Sequence, residues 1–213
     1  MSSIHLELLD EKRQETFQGL EIFKKEGCLA GGTALALQIK HRLSFDFDIF
    51  LYREIRRKDF LKLEKAFGIK RTEINTADQL TVTTNDGINV TLVRYYHKPL
   101  FERVKTSSLP LYSVKDIAVD KAFTIGRRAV WRDYVDLFFI LKQEHLDIFE
   151  LTELAQSKFG SEFNPKLFLE QMVFFKDIQI VEISFVAEEY SPEEIQTFLE
   201  EQAGLFKTKE ITS

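Results

Sequence analysis

Residues 45 to 51 read Phe-Asp-Phe-Asp-Ile-Phe-Leu, and no other stretch constrains the fold as tightly. A strand sends successive side chains to opposite faces. Phe45, Phe47, Ile49 and Leu51 therefore turn one way, and Asp46 and Asp48 the other. The pattern asks for a sheet with one face on a core and two carboxylates side by side on the other. Like charges at that spacing repel unless a cation lies between them, and Mg²⁺ suits hard carboxylate oxygens shared with substrate phosphates. A half-buried strand with a solvated acidic face is the other reading of the same residues.

Elements of mixed type surround this strand. From Asp10 to about Lys25, Leu9, Phe17, Leu20 and Phe23 recur mainly at helical steps, with Gly27 as a stop. Cys28-Leu29-Ala30 is a brief apolar strand, and Gly31-Gly32-Thr33 opens a helix reaching about His41. A short helix over 56–66 and strands over 69–74, 79–84 and 88–95 follow, with a hairpin turn at Asn85-Asp86-Gly87. After Pro110 the pattern becomes helical. Ser113 with Asp116 and Asp147 with Glu150 resemble capping boxes, and Asn164-Pro165 and Ser191-Pro192 are caps followed by proline. Residues 178–186 alternate too weakly to assign. The expected organisation is an α/β domain over 1–110 and a helical domain over 111–213 packed on it.

Composition narrows the function classes. A single cysteine, Cys28, excludes a disulfide framework. No apolar run approaches the roughly 20 residues that span a bilayer, and the opening MSSIHLELLDEKRQ mixes charges too early for a signal peptide. The expected compartment is the cytoplasm. The net charge of -5 is uneven: residues 1–110 hold 18 Lys and Arg against 15 Asp and Glu, the remainder 11 against 19. Neither half carries the basic excess of a strong DNA binder, so any nucleic-acid contact rests on a few cations of the first half. Arg53, Arg56, Arg57 and Lys58 could meet RNA phosphates, but read first as a solvated helix face.

Two further clusters carry chemistry. Gly31-Gly32 ahead of a helix lets backbone N–H groups approach a phosphate, the helix N-terminus adds partial positive charge, and Thr33 adds a hydroxyl. A plain strand-to-helix turn uses the same residues. Past Ser113, the apolar stripe Val114, Ile117, Ala118 and Ile125 includes Lys121, a cation on a face expected to be buried. Such a lysine snorkels to solvent, pairs with a carboxylate or meets phosphates in a cleft. Asp133 and Asp136 share a side of the next helix, with Arg127, Arg128 and Arg132 near its start. A structural ion-pair knot and an active-site cluster both suit that arrangement.

Several of these segments, in order, resemble a family. They are Leu29-Ala30-Gly31-Gly32-Thr33-Ala34-Leu35, His41-Arg42-x-Ser44-x-Asp46-x-Asp48-Ile49-Phe50, Asp116-Ile117-Ala118 leading to Lys121, and Arg132-Asp133-x-x-Asp136-Leu137. Together they look like the AbiEii/AbiGii toxin-type nucleotidyltransferases of the DNA polymerase beta nucleotidyltransferase superfamily, over about residues 28 to 141. The resemblance implies an α+β fold: a nucleotidyltransferase-type mixed β-sheet with flanking helices, then a helical C-terminal region. It also implies Mg²⁺-dependent transfer of a nucleoside monophosphate from an NTP to an RNA acceptor, tRNA by similarity to related members. The enzyme would be the toxin of a toxin–antitoxin or abortive-infection pair, with a cognate antitoxin encoded nearby. On that basis Gly31, Gly32, Thr33, Arg42, Ser44 and Lys121 bind the nucleotide, and Asp46 and Asp48 hold the metal. Asp133 or Asp136 positions Lys121 or the acceptor, and both join Asp46, Asp48 and Lys121 as catalytic residues.

One departure stands out. Many superfamily members carry a third metal carboxylate on a neighbouring strand, whereas the strand over 88–95 offers only Asn89, Thr91 and Val93 on the matching face. Asp86, in the preceding turn, is the nearest acid in sequence. This leaves open a second reading: a degenerate module that binds nucleotide or a partner without turnover.

Overall fold

The computed structural model describes residues 4–125, 127–128 and 130–212, with side chains described as far as residue 206. The chain folds as two compact units, Met1–Ser113 and Val114–Ser213.

The first unit runs α1 (Glu11–Gly19), β1 (Gly27–Ala30), α2 (Gly31–Ile39), β2 (Phe47–Leu51), α3 (Arg57–Phe67), β3 (Ile69–Asn75), β4 (Gln79–Thr84) and β5 (Asn89–Arg94). The strands form one mixed sheet in the order β1-β2-β5-β4-β3, in which only β2 and β5 run parallel. Alternation decides the faces. Phe47, Ile49, Leu51, Leu80, Val82, Val90 and Leu92 are fully buried on one side, together with Phe17, Leu20, Phe23 and Leu63 from the helical segments. Each such side chain contributes about 1.5–3 kcal/mol when removed from water. The edge beyond β1 is partly covered, because Leu29 N–H donates to Pro110 O (2.8 Å) and Tyr112 N–H to Leu29 O (2.8 Å). The opposite edge, β3, shifts register against β4 twice, between Ile69 and Arg71 and between Thr72 and Ile74.

Two local readings change. The expected helix from Asp10 to Lys25 is α-helical only to Gly19 and continues as a 3₁₀ turn, Leu20–Phe23. Glycine weakens the helix there, and the tighter winding brings Leu20 and Phe23 to the same buried side. The strand expected from Phe45 starts at Phe47, because pairing ends at Ala30↔Asp48 on one side and Phe47↔Val90 on the other. Phe45 is therefore 40% exposed rather than part of the core, with the Arg13 guanidinium 4.5 Å above its ring.

The second unit consists of α4 (Val114–Ile125), α5 (Trp131–Lys142), α6 (Ile148–Phe159), α7 (Pro165–Met172) and α8 (Pro192–Thr212). Its helix starts follow from local chemistry. Asp147 accepts from Phe149 and Glu150 N–H (both 2.8 Å), and Asn164 accepts from Leu167 N–H (3.1 Å) with Pro165 next to it. Ser191 and Glu194 form a reciprocal capping box. Nearly every residue of α5 is buried, which makes it the central helix of this unit. No named helix or strand occupies 173–191, so the weakly alternating stretch is irregular. Among the described residues, no helix is long and apolar enough to cross a membrane.

Candidate active site

In the first unit the Gly-Gly turn meets the segment that carries Asp46 and Asp48. Gly31 has φ +69°, a left-handed conformation that glycine adopts without steric cost, and a Cβ there would lie 2.9 Å from Asp48 Oδ2. The backbone at the start of α2 thus abuts the Asp48 carboxylate. A Cβ at Gly32 would lie 2.5 Å from Arg42 Nη2 and 3.1 Å from Ser44 Oγ, so the second glycine admits the buried Arg42 guanidinium. Arg42 Nη1 donates to Leu43 O (3.0 Å). Thr33 is buried, its Oγ1 donating to Asp46 O at 2.5 Å and lying 2.9 Å from Ser44 Oγ. These contacts fasten the turn to the approach of β2. Ala30, at the N-cap of α2, has no side-chain acceptor to offer the first-turn N–H groups. The structure thus brings together Gly31, Gly32, Thr33, Arg42, Ser44, Asp46 and Asp48.

Next to the pair, Thr91 stands opposite Asp48 in the β2–β5 register, and Asn89 Nδ2 donates to Asp46 Oδ1 (3.2 Å). Thr81 and Thr91 hydroxyls lie 3.3 Å apart, and Thr83 Oγ1 reaches both Asn89 Oδ1 (3.0 Å) and Glu73 Oε1 (2.7 Å). Beside the two acids this sheet face is therefore lined by the neutral groups of Asn89, Thr91, Thr81 and Thr83, with the Glu73 carboxylate beyond Thr83. Among the described residues, no three His, Cys, Asp or Glu side chains come together to hold a metal ion. Asp86 is engaged elsewhere, accepting from Lys12 Nζ at 2.8 Å. Asn89 was noted in the sequence only for not being an acid; its contact with Asp46 has no signature in residue type.

In the second unit, Lys121 Nζ lies 2.5 Å from Asp133 Oδ1 and 2.5 Å from Asp136 Oδ2, all three groups being buried. Arg128 Nε adds a second cation to Asp133 at 2.8 Å. Burial alone would lower the Lys121 ammonium, but attraction to Asp136 and then Asp133 outweighs it and holds the group above the usual lysine value. A second knot has no motif in the sequence: Lys158, with a side chain 1% exposed, lies 2.6 Å from Asp120 Oδ1 and 3.8 Å from Asp116 Oδ1. Its sequence signal is its place seven residues after Leu151, on the helix stripe that also buries Ala155.

The cation group after β2 divides. Arg53 grips the buried Asp59 bidentately (2.7 and 2.8 Å) and also holds Glu26, while Asp59 accepts from Arg56 N–H (2.8 Å). Arg56, Arg57 and Lys58 are exposed.

A mixed sheet with flanking helices, its Gly-Gly turn set against a strand carboxylate pair, has the nucleotidyltransferase fold. Solved structures of similar fold include a nucleotidyltransferase candidate from H. pylori (TM-score 0.59, 17% identity, 94% of this chain and 97% of that one). MenT4, a nucleotidyltransferase toxin from Mycobacterium tuberculosis H37Rv, is another (TM-score 0.59, 16% identity, 91% and 82%). Residues 68–209 match the family described as nucleotidyl transferase AbiEii toxin, type IV toxin–antitoxin system, and the chain belongs to that family of nucleotidyltransferase toxins. An uncharacterized Aquifex aeolicus protein, aq_aa25, is 29% identical over 184 residues, covering 85% of this chain and 84% of its own. The family match extends through the helical second unit, beyond the 28 to 141 span read from motifs, and begins after Gly31 to Asp48.

Proposed function

We propose that this toxin transfers a nucleoside monophosphate from an NTP to an RNA acceptor, tRNA being the first candidate, in a Mg²⁺-dependent reaction in the cytoplasm, and that a cognate antitoxin restrains it. The observation that carries the reading is the contact between the left-handed Gly31 backbone and Asp48. It sets an anion-binding helix start beside a hard-oxygen pair, which is what a triphosphate with its cation requires. The residues fit that cation: Asp48 on β2 and Asp46 just before it face Thr91 and Asn89, two residues apart on β5, and residue 31 leaves room beside Asp48 by lacking a side chain. A bound Mg²⁺ would neutralise phosphate charge during transfer.

The chain's own residues do the rest. First-turn N–H groups of α2 orient the triphosphate, Arg42 supports the turn with positive charge behind Gly32, and Thr33 and Ser44 keep turn and strand in register. For the second unit the same reading makes Lys121 a nucleotide-binding residue, its ammonium fixed by Asp133 and Asp136. The test is incubation with each radiolabelled NTP, Mg²⁺ and total tRNA. Wild type is expected to label RNA, and Asp48→Asn to abolish labelling while its thermal melt stays unchanged. A fully active Asp48→Asn protein would refute the assignment; NTP binding without label in any RNA would favour the non-catalytic reading.

A further inference from the structure

The hydrogen bonds around Asn89 contain a conflict over one proton. Thr83 Oγ1 faces two acceptors, Glu73 Oε1 at 2.7 Å and Asn89 Oδ1 at 3.0 Å, yet a hydroxyl has a single hydrogen. The carboxylate is nearer and stronger, and the Thr83 hydrogen bond is the largest influence holding Glu73 below the usual carboxylate range. Committed to Glu73, the Thr83 oxygen has only lone pairs left for Asn89, and an amide oxygen cannot use them. A half-turn of the amide resolves this: Nδ2 then donates to Thr83, and Oδ1 points at Asp46, 3.2 Å from its present Nδ2 position. Two oxygens facing each other at that distance repel unless a proton or a cation lies between them, and beside a second carboxylate a divalent cation serves all three groups.

We propose that Asn89 is a third ligand of the divalent-cation site, standing where no acid is available on β5. This rests on the reading of Asp46 and Asp48 as metal ligands. Without the cation the amide donates Nδ2 to Asp46; with it the amide presents Oδ1, and Thr83, held by Glu73, locks that orientation. An amide is a neutral ligand, so the site binds its cation more weakly than a three-carboxylate site would.

The test is Mn²⁺ titration of the full chain, followed by the electron paramagnetic resonance signal of the free ion, with thermal melts alongside. Asp48→Asn is expected to abolish binding. Asn89→Ala should weaken it about tenfold, Thr83→Val by less, and Asn89→Asp should tighten it. Asn89 and Thr83 carry no core packing, so the melts of Asn89→Ala and Thr83→Val without metal should match wild type. If Asp48→Asn loses Mn²⁺ but Asn89→Ala binds as wild type, or Asn89→Asp binds no tighter, the inference on Asn89 fails alone. If Asp48→Asn binds Mn²⁺ normally, the carboxylate-site reading fails and takes this inference with it.

Discussion

Gly31 is where a single atom decides the site. A methyl group there has to displace the Asp48 carboxylate, 2.9 Å away, and alanine in the left-handed region adds about 1–2 kcal/mol of strain. Gly31→Ala is therefore expected to lose RNA labelling and to lower stability modestly in a urea melt. Lys121 obeys a different logic, because its partners are buried. Lys121→Met strands Asp133 and Asp136 and should cost about 3–5 kcal/mol in urea unfolding at pH 7. NTP titration of the folded variant then tests the triphosphate role, since a purely structural lysine leaves affinity unchanged. The pH dependence has a definite sign. Because the folded-state value lies above 10.5, the ammonium's stabilisation is fully present below pH 10.5 and is lost as pH rises through the folded value, so wild type and variant should converge in strong alkali. Lys121 was legible because a cation interrupted an apolar stripe. Lys158 and Asn89 were not: one sits near a helix end rich in polar residues, and the other is an amide whose partners, Thr83 and Asp46, lie on two other segments.

At the scale of elements, legibility followed the strength of the local rule. β2 and β4 alternate cleanly and were read to within two residues, and the capped starts of α6, α7 and α8 follow directly from Asp147, Asn164 and Ser191. Where β2 begins is a tertiary matter, set by where its two neighbours stop, and no property of Phe45 announces it. The start of α3 shows the same limit: Asp59 was one acid among many, yet it is buried and joins α3 to the loop through Arg53 and Arg56. Burial raises its carboxyl value, but the Arg53 and Arg56 hydrogen bonds outweigh that and hold it below 3.8. Asp59→Asn is expected to cost about 2–3 kcal/mol at pH 7. That stabilisation is present above pH 3.8 and is lost as pH falls through the folded value, so the gap to wild type should close in acid urea melts.

For the whole molecule, a net charge of -5 gives RNA little general attraction. Of the candidate arginines Arg42, Arg53, Arg56 and Arg57, the first is buried behind Gly32 and the second is committed to Asp59 and Glu26, so Arg56 and Arg57 are the exposed ones. Few phosphate contacts mean a shallow salt dependence. Titration of tRNA across a salt series should give d log K/d log[salt] no steeper than about -4, and replacing Arg56 and Arg57 by alanine should weaken RNA binding without changing NTP binding. A steep slope, or an unaffected double variant, would move the acceptor surface elsewhere.

The two register shifts in β3 bear on how the protein lives among its neighbours. A straight outer strand offers an even row of N–H and C=O groups on which another chain can build, the common start of fibrils. Here the row is broken twice, and the exposed Lys70, Arg71 and Glu73 add charge to it. Both features disfavour the addition of a further strand at β3. On the proposed reading, an antitoxin that engaged this edge would do so by side chains rather than by lending a strand.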